Sequence, residues 1–122
     1  MPSVSVGAEK RVHHRFLARL EVRIVSGDGL PADLKLMTVD VGVGGACCAA
    51  TARLEASTRL HLILTLVGGD LRDPMPIGVD AVVLRCVESK TPHPVFPFEA
   101  ALQFVRIEPG ERRRLQNYLN NL

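Results

Sequence analysis

Apolar and polar side chains alternate with a period of two along most of this chain, and that pattern dictates strands. In FLARLEVRIV (residues 16–25), Ala18, Leu20, Val22 and Ile24 fall on one face, and Arg19, Glu21 and Arg23 on the other. LKLMTVDV (34–41) is a second run, ended by the glycine-rich GVGG of residues 42–45. ACCAAT (46–51) reads as a short third strand of small residues. TRLHLILTLV (58–67) sets four alternating leucines against Arg59, His61 and Thr65, with Ile63 an apolar exception. VDAVVLRCV (79–87) reads as a long, largely buried strand, and FEAALQFVRI (98–107) places Phe98, Ala100, Leu102 and Phe104 on one face. The segments between, SGDGLPAD (26–33), GGDLRDPMP (68–76) and ESKTPHPVFP (88–97), have turn and loop composition. Five or six strands with no helix between them imply an all-β antiparallel barrel or sandwich.

The period changes at the end. Pro109 suits a first helical turn, and Leu115, Tyr118, Leu119 and Leu122 follow helical spacing, which predicts a short amphipathic helix over GERRRLQNYLNNL. At 122 residues the chain is the size of one domain. Its core must be built from Val, Leu, Ile and Ala, because only four Phe, one Tyr and no Trp are present.

Charge and cysteine usage narrow the function classes. Residues 1–23 carry five basic and two acidic groups, residues 24–105 six and nine, and residues 106–122 four and two. The body is thus acidic between two basic ends. A small anion at the N-terminal region fits this distribution better than a nucleic-acid polymer along the whole surface. A single-stranded nucleic-acid barrel would also want aromatic stacking platforms along a basic groove, and the phenylalanines fall on inward or loop positions. Three cysteines (Cys47, Cys48 and Cys86) make no disulfide framework, and with His13, His14, His61 and His93 they make no zinc spacing. Cys47 and Cys48 are neighbours on a strand, so one should face in and one out. No signal-peptide pattern and no apolar run of membrane-spanning length occur, so the expected location is cytoplasmic, without membrane insertion. No nucleophile elbow, P-loop or carboxylate pair suggests catalysis, so no enzyme is expected.

One pair of segments can carry binding chemistry. RVHHR (11–15) precedes the first strand, and DVGVGG (40–45) closes the second. Taken alone, Arg11 and Arg15 read as a solvated basic lead-in, Lys10 as its extension, His13 and His14 as exposed spacers, and Asp40 as a turn residue before glycines. Taken together, an arginine fork matches guanine O6 and N7 or a phosphate with two parallel hydrogen bonds. A carboxylate accepts from guanine N1–H and N2–H. Glycines at 42, 44 and 45 permit positive φ and close backbone approach.

An R-x-x-x-R segment, a strand pair, a D-x-S-x-x-G-like turn, then more strands and LQFVRIEPGERRRLQNYL as last strand and helix: this order resembles the PilZ domain family, from about Lys10 to Leu122. The resemblance implies a six-stranded antiparallel β-barrel over residues 16–122 with a C-terminal α-helix, behind a flexible lead-in over residues 1–15. It implies a receptor for cyclic di-GMP, with no cofactor and no metal. Arg11 and Arg15 would be the two motif arginines that reach phosphate and guanine, Asp40 the motif aspartate and Gly45 the final glycine, with Lys10 available to a phosphate. Gly42 stands where the motif has serine. The missing hydroxyl removes one hydrogen bond, worth about 0.5–1.5 kcal/mol net or up to about tenfold in affinity, and a bridging water can take its place.

The arginine segment is expected to fold over the seated ligand, a disorder-to-order switch. With no second domain in the chain, output is expected to run through an unidentified downstream protein or self-association, at an exposed sheet edge, the 88–97 loop or the C-terminal helix. The alternative is a protein-interaction module that keeps the PilZ fold and does not bind nucleotide.

Overall fold

A computed structural model describes residues 14–27, 29–91 and 93–122. Among the described residues, seven strands and one helix follow one another: β1 (Phe16–Leu17), β2 (Glu21–Gly27), β3 (Leu36–Val41), β4 (Gly45–Ala50), β5 (Arg59–Leu66), β6 (Met75–Glu88), β7 (Phe98–Arg106) and α1 (Pro109–Asn120). Every pairing is antiparallel, and the order β3–β2–β5–β6–β7–β4 returns to β3, because β4 pairs with both β7 and β3. Six strands therefore close into a barrel, and the choice between barrel and sandwich is settled. Each strand of the ring has two neighbours. Closure confines the exposed edge to stretches paired on one side, such as β2 after Val22 and β6 before Asp80.

The period-two pattern is what lets the ring close around one core. Leu20, Val22, Leu36, Leu60, Leu62, Leu64, Leu66, Ile77, Val79, Val83 and Leu102 point inward, while their alternates face out. Cys48 is buried and Cys47 only partly so, the expected division.

Three sequence expectations need correction. The run at 16–25 is not one strand. It is interrupted at residues 18–20, so that β1 pairs with the C-terminal end of β3 (Phe16↔Val41, Leu17↔Asp40) and β2 with its N-terminal end (Glu21↔Met37, Val22↔Leu36). Across the interruption the buried Thr38 hydroxyl accepts from the Leu20 N–H at 2.6 Å and donates to the Ala18 carbonyl at 2.7 Å. The sixth strand starts four residues earlier than expected, at Met75, where Pro76 needs no second ladder partner because only β5 lies beside it. From Leu84 onward it is exposed except at Cys86, which packs in part against the core. Leu122 lies beyond the helix and is exposed, while Leu115, Tyr118 and Leu119 are buried as expected.

The helix is tied to the barrel at both of its ends. Near its start the Glu111 carboxylate accepts from the Gly78 N–H at 2.8 Å, and near its end the Tyr118 hydroxyl donates to the Val67 carbonyl at 2.7 Å.

Candidate functional site

Strict alternation from Leu36 and Thr38 would turn Asp40 into the core. A carboxylate there would be buried without a partner, at a cost of several kcal/mol, roughly. The chain avoids this with a β-bulge. Thr38 pairs with Cys48, Asp40 pairs with Cys47, and Val39 is the extra residue between them. The bulge shifts the phase by one: Asp40 turns to the outer face and Val41 becomes a fully buried core residue.

Arg15 lies immediately before β1, which runs alongside Val41 and Asp40. Its Nη1 donates to Asp40 Oδ1 at 2.7 Å, with each side chain about one-fifth exposed. The pair sits on the β3–β4 turn, where the Gly42 N–H donates to the Gly45 carbonyl at 2.9 Å. The turn is fixed to β7 by the Phe104 N–H, which donates to the Gly44 carbonyl at 2.9 Å.

The turn glycines act by absence of bulk. Among the glycines, positive φ is found at Gly29, Gly68 and Gly69 and not at 42, 44 or 45, so this turn does not use the left-handed backbone that glycine permits. A Cβ on Gly45 would lie 2.3 Å from the Leu102 carbonyl oxygen and 3.1 Å from Arg15 Nη2. A Cβ on Gly42 would lie 2.5 Å from the His14 carbonyl oxygen and 3.1 Å from Arg15 Cδ. Gly45 is therefore imposed by the close crossing of β7, and both glycines leave room for Arg15.

Of the residues singled out from sequence, the fold brings Arg15, Asp40, Gly42 and Gly45 into one cluster. Lys10, Arg11 and His13, with most of the 1–15 lead-in, lie outside the described residues. His14 is exposed, its ring 5.6 Å from that of Phe16. Further residues, not anticipated as part of the cluster, share the outer face. Successive cross-strand partners run Leu17, Asp40, Cys47, Ala101 and Arg85 over five strands. Leu17 is 85% exposed beside Asp40. Burial first, then the Asp40 and Glu99 carboxylates, push the Cys47 thiol up to about 11, while Arg15 and Arg85 act in the opposite direction. Outward alternation of Arg85 and Glu99 was visible in the sequence; their convergence on Cys47, the cross-strand partner of Asp40, depends on barrel closure.

A separate groove of about 590 Å³ lies elsewhere on the barrel, lined by Ser26, Arg59, His61, Asp80 and Arg106. It contains none of the motif residues; its feature is the cross-strand pair His61 Nδ1 to Asp80 Oδ1 at 2.5 Å. Among the described residues no group of three His, Cys, Asp or Glu side chains could hold a metal ion, and no helix is long and apolar enough to cross a membrane.

The site is thus a bulged strand that presents an aspartate to an arginine preceding the barrel, over a glycine turn. A family model described as PilZ domain matches residues 9–121. This chain belongs to the PilZ domain family. No curated protein sequence matches it significantly. Among solved structures, this PilZ domain is similar to the Bacillus subtilis inhibitor of motility MotI/DgrA, with TM-score 0.71 and 20% identity over 91% of this chain. It spans only about half of that protein, 49% of its length. It is also similar to the PilZ domain of YcgR from Escherichia coli, solved with c-di-GMP, with TM-score 0.65 and 17% identity, covering 93% of this chain and 91% of that one. At these identities the likeness shows the fold: a closed six-stranded barrel with one C-terminal helix.

Proposed function

We propose that this PilZ domain is a cyclic di-GMP receptor and adaptor, without catalytic activity of its own, that passes ligand occupancy to a downstream protein. The observation that carries the reading is the Arg15–Asp40 pair at 2.7 Å on the glycine turn. A planar five-donor fork and a carboxylate stand side by side, the complementary set for a guanine: Arg15 for O6 and N7 or a phosphate, Asp40 for N1–H and N2–H. Gly42 and Gly45 leave the backbone bare beneath them. Arg11 completes the clamp and Lys10 adds charge for a phosphate. The lead-in over residues 1–15 is the element we assign to the ligand-dependent change, and the reduced cytoplasm is the compartment in which the free thiols and the ligand fit together.

Membership of the family and the c-di-GMP in the YcgR structure support this reading. The second reading, an interaction module that does not bind nucleotide, is favoured by two observations: Arg15 and Asp40 already satisfy each other, and Gly42 lacks the motif hydroxyl.

Calorimetric titration with cyclic di-GMP separates the two. The receptor reading expects saturable binding at micromolar or lower ligand. Arg15→Ala should weaken it about ten- to hundredfold, the equivalent of the roughly 1.5–3 kcal/mol of charge-assisted hydrogen bonds. Absence of binding by the native protein at high micromolar ligand would leave the interaction module as the reading. Binding that survives Arg15→Ala would place the nucleotide elsewhere.

A further inference from the structure

Gly42 departs from the family pattern, and its surroundings give it a task of its own. The backbone there is outside the left-handed region, so the turn itself does not call for glycine. The demand comes from across the gap. The His14 carbonyl oxygen approaches so closely that a Cβ on residue 42 would stand 2.5 Å from it, with Arg15 Cδ at 3.1 Å and Nε at 3.5 Å. Real side chains do not tolerate that distance to a backbone atom, and the His14 carbonyl cannot swing away as a flexible side chain would. With any other residue at 42, the His14–Arg15 backbone must lift off the turn.

What this close approach holds in place is the ion pair. Arg15 Nη1 rests on Asp40 Oδ1, and Arg15 Nη2 lies against Gly45. The two groups assigned to guanine are therefore engaged with each other.

We propose that Gly42 is a seat for the His14–Arg15 backbone that latches the ligand site shut on itself, so that cyclic di-GMP must part Arg15 from Asp40 in order to bind. The inference rests on the proposed nucleotide function for its second half; the seating of the arm does not depend on it. For His14 and Arg15 the event on binding is then an exchange of partners and not a first ordering. The serine of the family pattern is incompatible with this seat, so its replacement by glycine adds a control as well as removing a hydroxyl.

The test uses Gly42→Ala, which restores a Cβ without a hydroxyl, beside Gly42→Ser, which restores both. In nucleotide-free protein, trypsin cleavage of the Arg15–Phe16 bond, followed by mass spectrometry, should be at least fivefold faster in both variants than in the native chain. Backbone NMR signals of β5 and β6 should stay in place, which separates release of the arm from loss of the barrel. Cyclic di-GMP should then bind Gly42→Ala about three- to tenfold more tightly than the native protein. An unchanged cleavage rate overturns the seat. Faster cleavage with unchanged or weaker binding overturns the latch. If neither protein binds the nucleotide, the functional reading fails, and the cleavage ratio alone decides the seat. Should the variants not fold, the native protein supplies the readout: nuclear Overhauser contacts between the Gly42 α protons and the Arg15 δ protons are expected without ligand, and their absence overturns the proposal.

Discussion

Cys47 reports on the site at the scale of a single residue. It pairs with Asp40 across β3 and β4, and its Sγ is 3.9 Å from Glu99 Oε1. Burial and two neighbouring carboxylates hold the thiol protonated up to about pH 11, against an ordinary value of 9.0. The attacking species is the thiolate, about one molecule in a thousand at pH 8. Iodoacetamide labelling of Cys47 should therefore be slow at pH 8 and rise about tenfold per pH unit to pH 10, without a plateau near pH 9. Asp40→Asn removes one raising charge and should speed the labelling; a mass-spectrometric time course checks both. Cys48, pushed to about 12 chiefly by burial, shifts in the same sense. Both thiols hold their protons more tightly folded than unfolded, so their contribution to stability is complete below pH 9 and is lost as pH climbs through 11 and 12. From sequence, Asp40, Gly42 and Gly45 were legible as a cluster with Arg15. The task of Gly42 was not, because it is set by the carbonyl of His14, which only the fold brings to it.

At the scale of elements, the strands were legible and their interruptions were not. Alternation located every member of the ring because one face of each strand must meet the core. It says nothing of where a ladder slips, and slips occur in β2 at Ile24/Ser26, in β3 at Thr38/Asp40 and in the β6–β7 pairing at Asp80/Ala81 and Val83/Arg85. The TVDV of residues 38–41 held a clue: strict alternation there would bury a carboxylate, and an extra residue is the remedy. Thr38 shows how such an irregularity is kept stable. It is fully buried, and its single hydroxyl serves both Leu20 N–H and Ala18 C=O, which the break between β1 and β2 would leave without partners. Thr38→Val keeps the shape and strands both groups. It should lower unfolding free energy by about 2 kcal/mol, the cost of buried groups without partners, read from urea midpoints at constant m-value. Thr38→Ser retains the hydroxyl and should lose about 1 kcal/mol or less, comparable to a single buried methyl group.

At the scale of the whole molecule, the six-stranded barrel and terminal helix follow from the alternation, the change of period at Pro109 and the family resemblance together. The sandwich alternative was open in the pattern alone, since inward and outward faces alternate in both. What decides is the pairing of β4 with β7, residues 45–50 against 98–103, which no local signal announces. The same closure sets the site, for the turn that carries Gly45 is pinned by Leu102 and Phe104.

That ring has a kinetic consequence. β4 and β7 meet only after some fifty intervening residues have been organised, and β2 reaches β5 over a gap of some thirty. Folding dominated by such distant pairings belongs on the millisecond-to-second scale, roughly, and not the microsecond scale of helical proteins. A closed ring also lacks a terminal strand from which to fray, so loosening one joint exposes two neighbours at once. Native-state hydrogen exchange should show the ladder amides of β2, β4, β5 and β7 opening together with one free energy, close to that of global unfolding. A β4 that exchanges well before β5 would mean that the joint between β4 and β7 opens by itself, and the barrel would then behave as a hinged sheet.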